Sequence, residues 1–203
     1  MIKNIIFDIG GVLVDWNPHI RFDSYFAGDT EKEEFFLKEI CGREINVWMD
    51  KGMDPIDAMH KRIEMYPEWE AEITDYIQNW RLQIRGEIPG MDEYLSELKS
   101  QGFRLFGLTN WCAKTFDVVR KEFEPVKKLE GIVVSAEVGL LKPYPEIYLK
   151  LLETYGLKAE ECVFVDDHAE NTVGSEAVGI KGITFTSKKQ LETDLKQITQ
   201  NHV

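Results

Sequence analysis

Several mostly apolar runs in this chain stop abruptly at polar residues. Ile5-Ile6-Phe7 stops at Asp8, residues 103–108 at Thr109-Asn110, and Cys162-Val163-Phe164-Val165 at Asp166-Asp167. Ile132-Val133-Val134 is followed, after a glycine-containing loop, by Lys142-Pro143. Runs this short and this apolar read as strands buried on both faces, the pattern of a parallel sheet. Such sheets need crossover segments, and between the runs the sequence supplies them. Strands are expected at 3–8, 103–108, 132–134, 162–165 and 180–185. Helices are expected at 91–101, 113–123, 145–155, 169–178 and 188–199. Gly102, Gly156 and Gly179 stand where three of these helices stop.

The alternation is interrupted once. From Pro18 to Arg85 no strand pattern is visible. Apolar residues recur at helical spacing, as in Phe22, Tyr25 and Phe26, then Phe35, Phe36 and Ile40, then Ile73, Ile77, Trp80 and Ile84. Gly86 and Pro89 end the block. The expected fold is therefore α/β. A Rossmann-like parallel sheet core spans 1–16 and 87–203, and a helical cap inserted at 17–86 lies over the carboxyl ends of the strands. Asp15-Trp16-Asn17-Pro18 and Arg85-Gly86-Glu87 are where hinges would lie.

Charge narrows the partners. The net charge is −12, and residues 29–75 hold 14 acidic against 6 basic residues. A surface this negative repels nucleic acid and anionic membranes. No apolar run approaches the roughly 18 residues that span a bilayer, and no signal-peptide pattern leads the chain. Cys41, Cys112 and Cys162 share no short spacing with one another or with a histidine, which argues against zinc or a disulfide framework and fits a reducing cytoplasm.

In a parallel sheet the polar strand ends share one edge, where open α/β sheets bind ligands. Asp8 and Asp167 can hold Mg²⁺, a hard ion that takes oxygen ligands. Lys142 is a point charge for an anion. Thr109 and the N–H groups after it can donate to phosphoryl oxygens. Asp8 can attack phosphorus and form an aspartyl-phosphate. Singly, each has an ordinary alternative. Thr109-Asn110 can be a strand end or helix cap, Lys142 a solvated loop lysine, and Asp166-Asp167 a cap for the following helix. Their order, each at a strand end, is what coincidence explains badly.

The segments Phe7-Asp8-Ile9-Gly10-Gly11-Val12, Leu108-Thr109-Asn110, Lys142-Pro143 and Phe164-Val165-Asp166-Asp167 resemble the four motifs of the haloacid dehalogenase-like hydrolase superfamily. The helical insertion resembles its C1-type cap. Asp166-Asp167 followed by Asn171, with Asp-X-Gly at the front, is similar to the small sugar-phosphate phosphatases, α-D-glucose 1-phosphate phosphatase above all. The resemblance implies a Mg²⁺-dependent phosphatase of a small phosphorylated metabolite, working through an aspartyl-phosphate. It implies Asp8 as nucleophile and metal ligand, with the Gly10 carbonyl and Asp167 as further ligands. It implies that Thr109, Asn110 and Lys142 bind the phosphoryl group, and that Asp166 and Asn171 act from nearby or through water.

The departure is Gly10, where most phosphatases of the superfamily carry an aspartate as acid and base. A missing general acid lowers rates by about 10²–10⁴-fold. Water or substrate can supply the proton, as suits a good leaving group. Another group can substitute, Asp15 or a cap residue being the candidates. Or the protein is a weak enzyme, or none. Two alternatives to the phosphatase therefore stand: a 2-haloacid dehalogenase, in which aspartate attacks carbon without a metal, and a non-catalytic protein binding a phosphorylated ligand or partner.

Cap residues are expected to choose the substrate. Trp16, Trp48 and Trp111 lie near the expected cleft, with Trp111 the first to line it and Trp48 first read as core. His19, Arg21, Arg43 and Arg81 are polar candidates whose ordinary reading is structural or solvated. His168 stands beside Asp167.

Overall fold

A computed structural model describes residues 1–200. Among the described residues there are seven strands: β1 (Asn4–Phe7), β2 (Val14–Trp16), β3 (Ile84–Glu87), β4 (Arg104–Thr109), β5 (Gly131–Val134), β6 (Cys162–Asp166) and β7 (Lys181–Thr184). Five form one sheet in the order β5-β4-β1-β6-β7, and every neighbouring pair is parallel. Ile5 pairs with Leu105 on one side and Val163 on the other, and Ile6 with Phe106 and Phe164. Alternate residues point to opposite faces. Ile5, Phe7, Leu105, Val163 and Val165 therefore meet helices Met91–Ser100, Ala113–Glu122 and Lys188–Gln200 on one face. Ile6, Phe106, Leu108, Cys162 and Phe164 meet helix Pro145–Tyr155 on the other. Both faces are dry, which is why the strands read as unbroken apolar runs. Each fully buried Ile or Phe contributes roughly 1.5–3 kcal/mol.

Residues between β2 and β3 form helices His19–Tyr25, Thr30–Phe35, Arg43–Asp50, Pro55–Met65 and Glu70–Gln78, with one π-helical turn at Phe36–Ile40. They pack around their own core, in which Phe22, Phe26, Phe36 and Tyr76 touch through their rings. Arg62 is buried here. Its guanidinium donates to the Glu39 carbonyl at 2.9 Å and also to the Ile40 carbonyl, groups a helix end leaves open, and it reaches Glu44 at 2.7 Å.

One expectation for this block fails. The stretch from Pro18 to Arg85 is not free of strand. Helix Glu70–Gln78 carries Ile73 and Ile77, but Trp80 sits in a 3₁₀ turn and Ile84 begins β3, antiparallel to β2. A ribbon this short is too brief to show alternation, and its partner is distant in sequence. The expected hinge segments lie on this ribbon and are tied to each other. Arg85 reaches Asp15 at 3.1 Å, and the Asn17 N–H donates to the Gln83 carbonyl at 2.8 Å. The single-turn helices Glu124–Lys127 and Ser135–Val138 have no sequence signature of their own. The other elements stand within two residues of expectation. No helix among the described residues is long and apolar enough to cross a membrane.

Candidate active site

Parallel pairing brings the polar strand ends together. Phe7 lies between Gly107 and Val165, so Asp8 emerges beside the ends of β4 and β6. The Asp8 N–H donates to the Val165 carbonyl at 2.8 Å, continuing the ladder one residue beyond β1. Its carboxylate accepts from the Ile9 N–H at 2.7 Å. A cavity of about 1000 Å³ opens over this edge. Asp8, Gly10, Thr109, Asn110, Trp111, Lys142, Asp167 and Asn171 all line it, and residues of the helical block supply the facing wall.

Lys142 is the hub. Its ammonium is buried, 2.9 Å from Asp8 Oδ1 and 2.6 Å from Asp166 Oδ2. Asp166 does not line the cavity. It is fully buried beneath it and accepts from Asn171 Nδ2 at 3.0 and 3.1 Å and from the His168 N–H at 2.8 Å. It therefore positions the lysine from behind, and Asn171 positions Asp166. Burial works against the lysine's charge, but Asp8 and Asp166 outweigh it and hold its pKa above the ordinary value. Burial pushes Asp8 up to about 7; Lys142 pulls it down, and Asp166 and Asp167 push it up.

The carboxylates of Asp8, Asp166 and Asp167 come within 4.8 Å of one another. Both Asp166 oxygens are taken by donors, whereas Asp167 Oδ1 is buried with no hydrogen-bond partner. Burial raises the pKa of Asp167; His168 lowers it, and Asp166 raises it again. An orphaned buried carboxylate oxygen beside a second carboxylate wants a cation. Gly11 leaves the room: at φ 73°, a Cβ there would stand 2.4 Å from Asp167 Oδ2. A hard, oxygen-seeking divalent ion fits this donor set.

The second motif divides its labour. Thr109 is buried at the end of β4 and lines the cavity. The Asn110 amide is committed to the Lys142 backbone, accepting from its N–H at 2.9 Å and donating to its carbonyl at 3.1 Å. The Trp111 N–H donates to Ser135 Oγ at 3.0 Å and its indole N–H to Thr115 at 3.0 Å, leaving the ring face for the cavity. That ring also borders Gly10, where a Cβ would meet it at 3.4 Å, an ordinary contact distance.

Trp16, Arg43 and His168 line the cavity as well, Arg43 pairing with Glu170 at 3.4 Å. Trp48 packs in the helical block under the Lys61 ammonium. His19 bonds Glu33, Arg21 bonds Asp75, and Arg81 bonds Glu122, all away from the cavity. Asp15 is spent on Arg85. Sequence reasoning missed most of the wall that the helical block supplies, Trp80 and Asp50 included. The signal for Asp50 was available: Arg43, Asn46, Val47 and Asp50 recur at helical spacing, and all four line the cavity.

Comparison with known proteins agrees with this geometry. The haloacid dehalogenase-like hydrolase family matches residues 5–185. A sesquiterpene phosphatase of Aspergillus oryzae is 30% identical over 197 residues, which cover 97% of this chain and 96% of that protein. A glyceraldehyde 3-phosphate phosphatase of Pyrococcus furiosus is 28% identical over 137 residues, covering 66% of this chain and 56% of that protein. The fold is shared with an enzyme of the same family from Bacteroides thetaiotaomicron solved with magnesium and inorganic phosphate. There the TM-score is 0.70 at 22% identity, covering 93% of this chain and 96% of that one. The chain belongs to the haloacid dehalogenase-like hydrolase family, among its phosphatases.

Proposed function

We propose that this enzyme hydrolyses the phosphate monoester of a small metabolite, a sugar phosphate in the first instance, through an aspartyl-phosphate on Asp8. The observation that carries the reading is the single cavity into which Asp8, Thr109, Lys142 and Asp167 open together. Residues 1–16 and 87–203 act as the catalytic core and 17–86 as the cap. Lys142 and Thr109 bind the phosphoryl oxygens, and the Asp8 carboxylate attacks phosphorus while the ester oxygen leaves. Water then cleaves the acyl-phosphate bond and frees Asp8. Asn110, Asp166 and Asn171 keep Lys142 in place. Mg²⁺, held by Asp8, Asp167 and the Gly10 carbonyl, supplies charge neutralisation between two anions that would otherwise repel. Three unpaired, buried thiols support a cytoplasmic setting.

A second substrate reading has its own support. Trp16, Val47, Met49, Ile77 and Trp80 give the cavity an apolar wall, which suits a hydrocarbon leaving group as well as it suits a sugar ring. Phosphate release from hexose phosphates and from prenyl monophosphates, in Mg²⁺ and in EDTA, decides between them. Expected are turnover in Mg²⁺, its loss in EDTA, and its loss in Asp8→Asn. Turnover that survives EDTA would sink the metal-dependent reading. Chloride released from 2-chloropropionate, with no phosphate from any ester, would restore the dehalogenase.

A further inference from the structure

None of the residues given a role above hands a proton to the leaving oxygen, and His168, which lines the cavity, is largely exposed beside Asp167. Gly10 has no side chain to carry a proton, and the neighbour it faces is the Trp111 ring. Asp15 is ion-paired to Arg85 outside the cavity. Glu170 lines the cavity but pairs with Arg43, and Asp167 is assigned to the metal, so one unpartnered carboxyl remains. Asp50 ends helix Arg43–Asp50 of the cap and lines the same cavity as Asp8 and Lys142. It is half-buried, open to the cavity and enclosed by protein elsewhere. Among the described residues it has no hydrogen-bond or ion-pair partner, unlike Asp8 and Asp166.

We propose that Asp50 is the general acid and base of this enzyme, delivering from the cap the proton that position 10 cannot. The proposal rests on the phosphatase reading above. In the first step the bond from Asp8 to phosphorus forms and the ester bond breaks. The Asp50 proton passes to the departing oxygen, which leaves as an alcohol. In the second step Asp50, now a carboxylate, takes a proton from water as that water attacks phosphorus. The bond to Asp8 then breaks, phosphate leaves, and both carboxyls are as they began.

Three features of its surroundings favour a carboxyl that holds a proton. Burial raises its pKa to about 7, with Lys142 pulling down and Asp8 pushing up. It stands at a helix carboxyl end, where the backbone dipole disfavours negative charge. The titratable neighbour from helix Glu70–Gln78 is Tyr76, a phenol whose own pKa burial raises, so it brings no charge. The cations nearest it in sequence in the cavity wall are Arg43, two turns earlier on the same helix, and Lys51, just past the helix end. A placement against the local helix preference, facing the site, is what a functional residue looks like.

The test separates leaving groups. In Mg²⁺, first-turnover rates are measured for wild type, Asp50→Asn and Asp50→Glu with p-nitrophenyl phosphate and with glycerol 2-phosphate. p-Nitrophenolate leaves without a proton, and an alkoxide does not. Asp50→Asn is expected to lose about 10²–10⁴-fold on the alkyl ester and less than about tenfold on the aryl ester. Asp50→Glu is expected to recover part of the alkyl rate. For wild type the alkyl rate falls as pH rises through about 7, because the acid must be protonated to act, and Asp50→Asn lacks that limb. Equal losses on both esters, or an unchanged alkyl rate, would overturn the assignment while the phosphatase stands. A wild type inert towards both esters would instead bring down the phosphatase reading, and Asp50 with it.

Discussion

Lys142 shows how much a single residue can be asked to do. It stands between Asp8 and Asp166 with almost no contact with water. Removing one partner of such a pair typically costs about 3–5 kcal/mol, most of it the charge left behind. Lys142→Met is therefore expected to lower unfolding free energy by about 3 kcal/mol in urea titration, besides abolishing turnover. Adding Asp166→Asn to that variant removes the deeper of the two stranded charges and should return part of the loss. If the double variant is no more stable than the single, Asp166 is not the lysine's support. Gly10 belongs to the same scale. Its lack of a side chain is legible in the sequence, but the indole bordering it is not, because Trp111 comes beside it only through the turn after β4.

Elements position these residues by fitting closely. Helix Ala169–Glu176 carries Asn171 under Asp166, and the Tyr148 hydroxyl donates to the Asn171 carbonyl at 2.7 Å. At Gly174 this helix presses on the loop that holds Lys142: an added Cβ would stand 2.3 Å from the Pro143 carbonyl oxygen. Glycine inside a helix is normally worth replacing, since alanine gains about 1 kcal/mol. Here the overlap should win. Gly174→Ala is expected to destabilise by about 1–3 kcal/mol in thermal denaturation and to slow turnover, because helix and loop must part. A stabilised variant with full activity would contradict this account. Sequence periodicity found this helix within two residues, and it could not say which glycine was a contact surface, since that depends on what lies opposite.

At the scale of the whole molecule, the question is how the helical block is held over the sheet edge. Among the described residues three ion pairs bridge them besides the β2–β3 ribbon: Lys114 with Asp54, Arg43 with Glu170, and Arg81 with Glu122. All three involve exposed side chains, and exposed pairs contribute roughly 0.2–1 kcal/mol each. Lys114 and Asp54 lie outside the cavity, so this pair can be broken without touching the site. Lys114→Ala is expected to shift Tm by no more than about 4 °C. It should raise KM up to about fivefold with kcat unchanged, and KM should become less sensitive to salt than in wild type. An unaltered KM with the wild-type salt response would mean that this pair does not hold the block closed.

The five strands of the parallel sheet and the shared edge for Asp8, Thr109, Lys142 and Asp167 follow from sequence alone. A strand buried on both faces must be apolar throughout, and a polar residue can appear only where it ends. That rule is local, so a single chain displays it. The inserted helical block follows too, from a change of period. What the sequence leaves open is every relation across space. The ribbon at the base of the block, the commitment of Asn110 to the Lys142 backbone, the orphaned Asp167 oxygen and the arrival of Asp50 in the cavity of Asp8 are decided by tertiary packing. Whether a carboxylate meets a lysine, a cation site or an open cavity depends on which distant segments the fold brings beside it. Those meetings set its ionisation, and hence its chemistry.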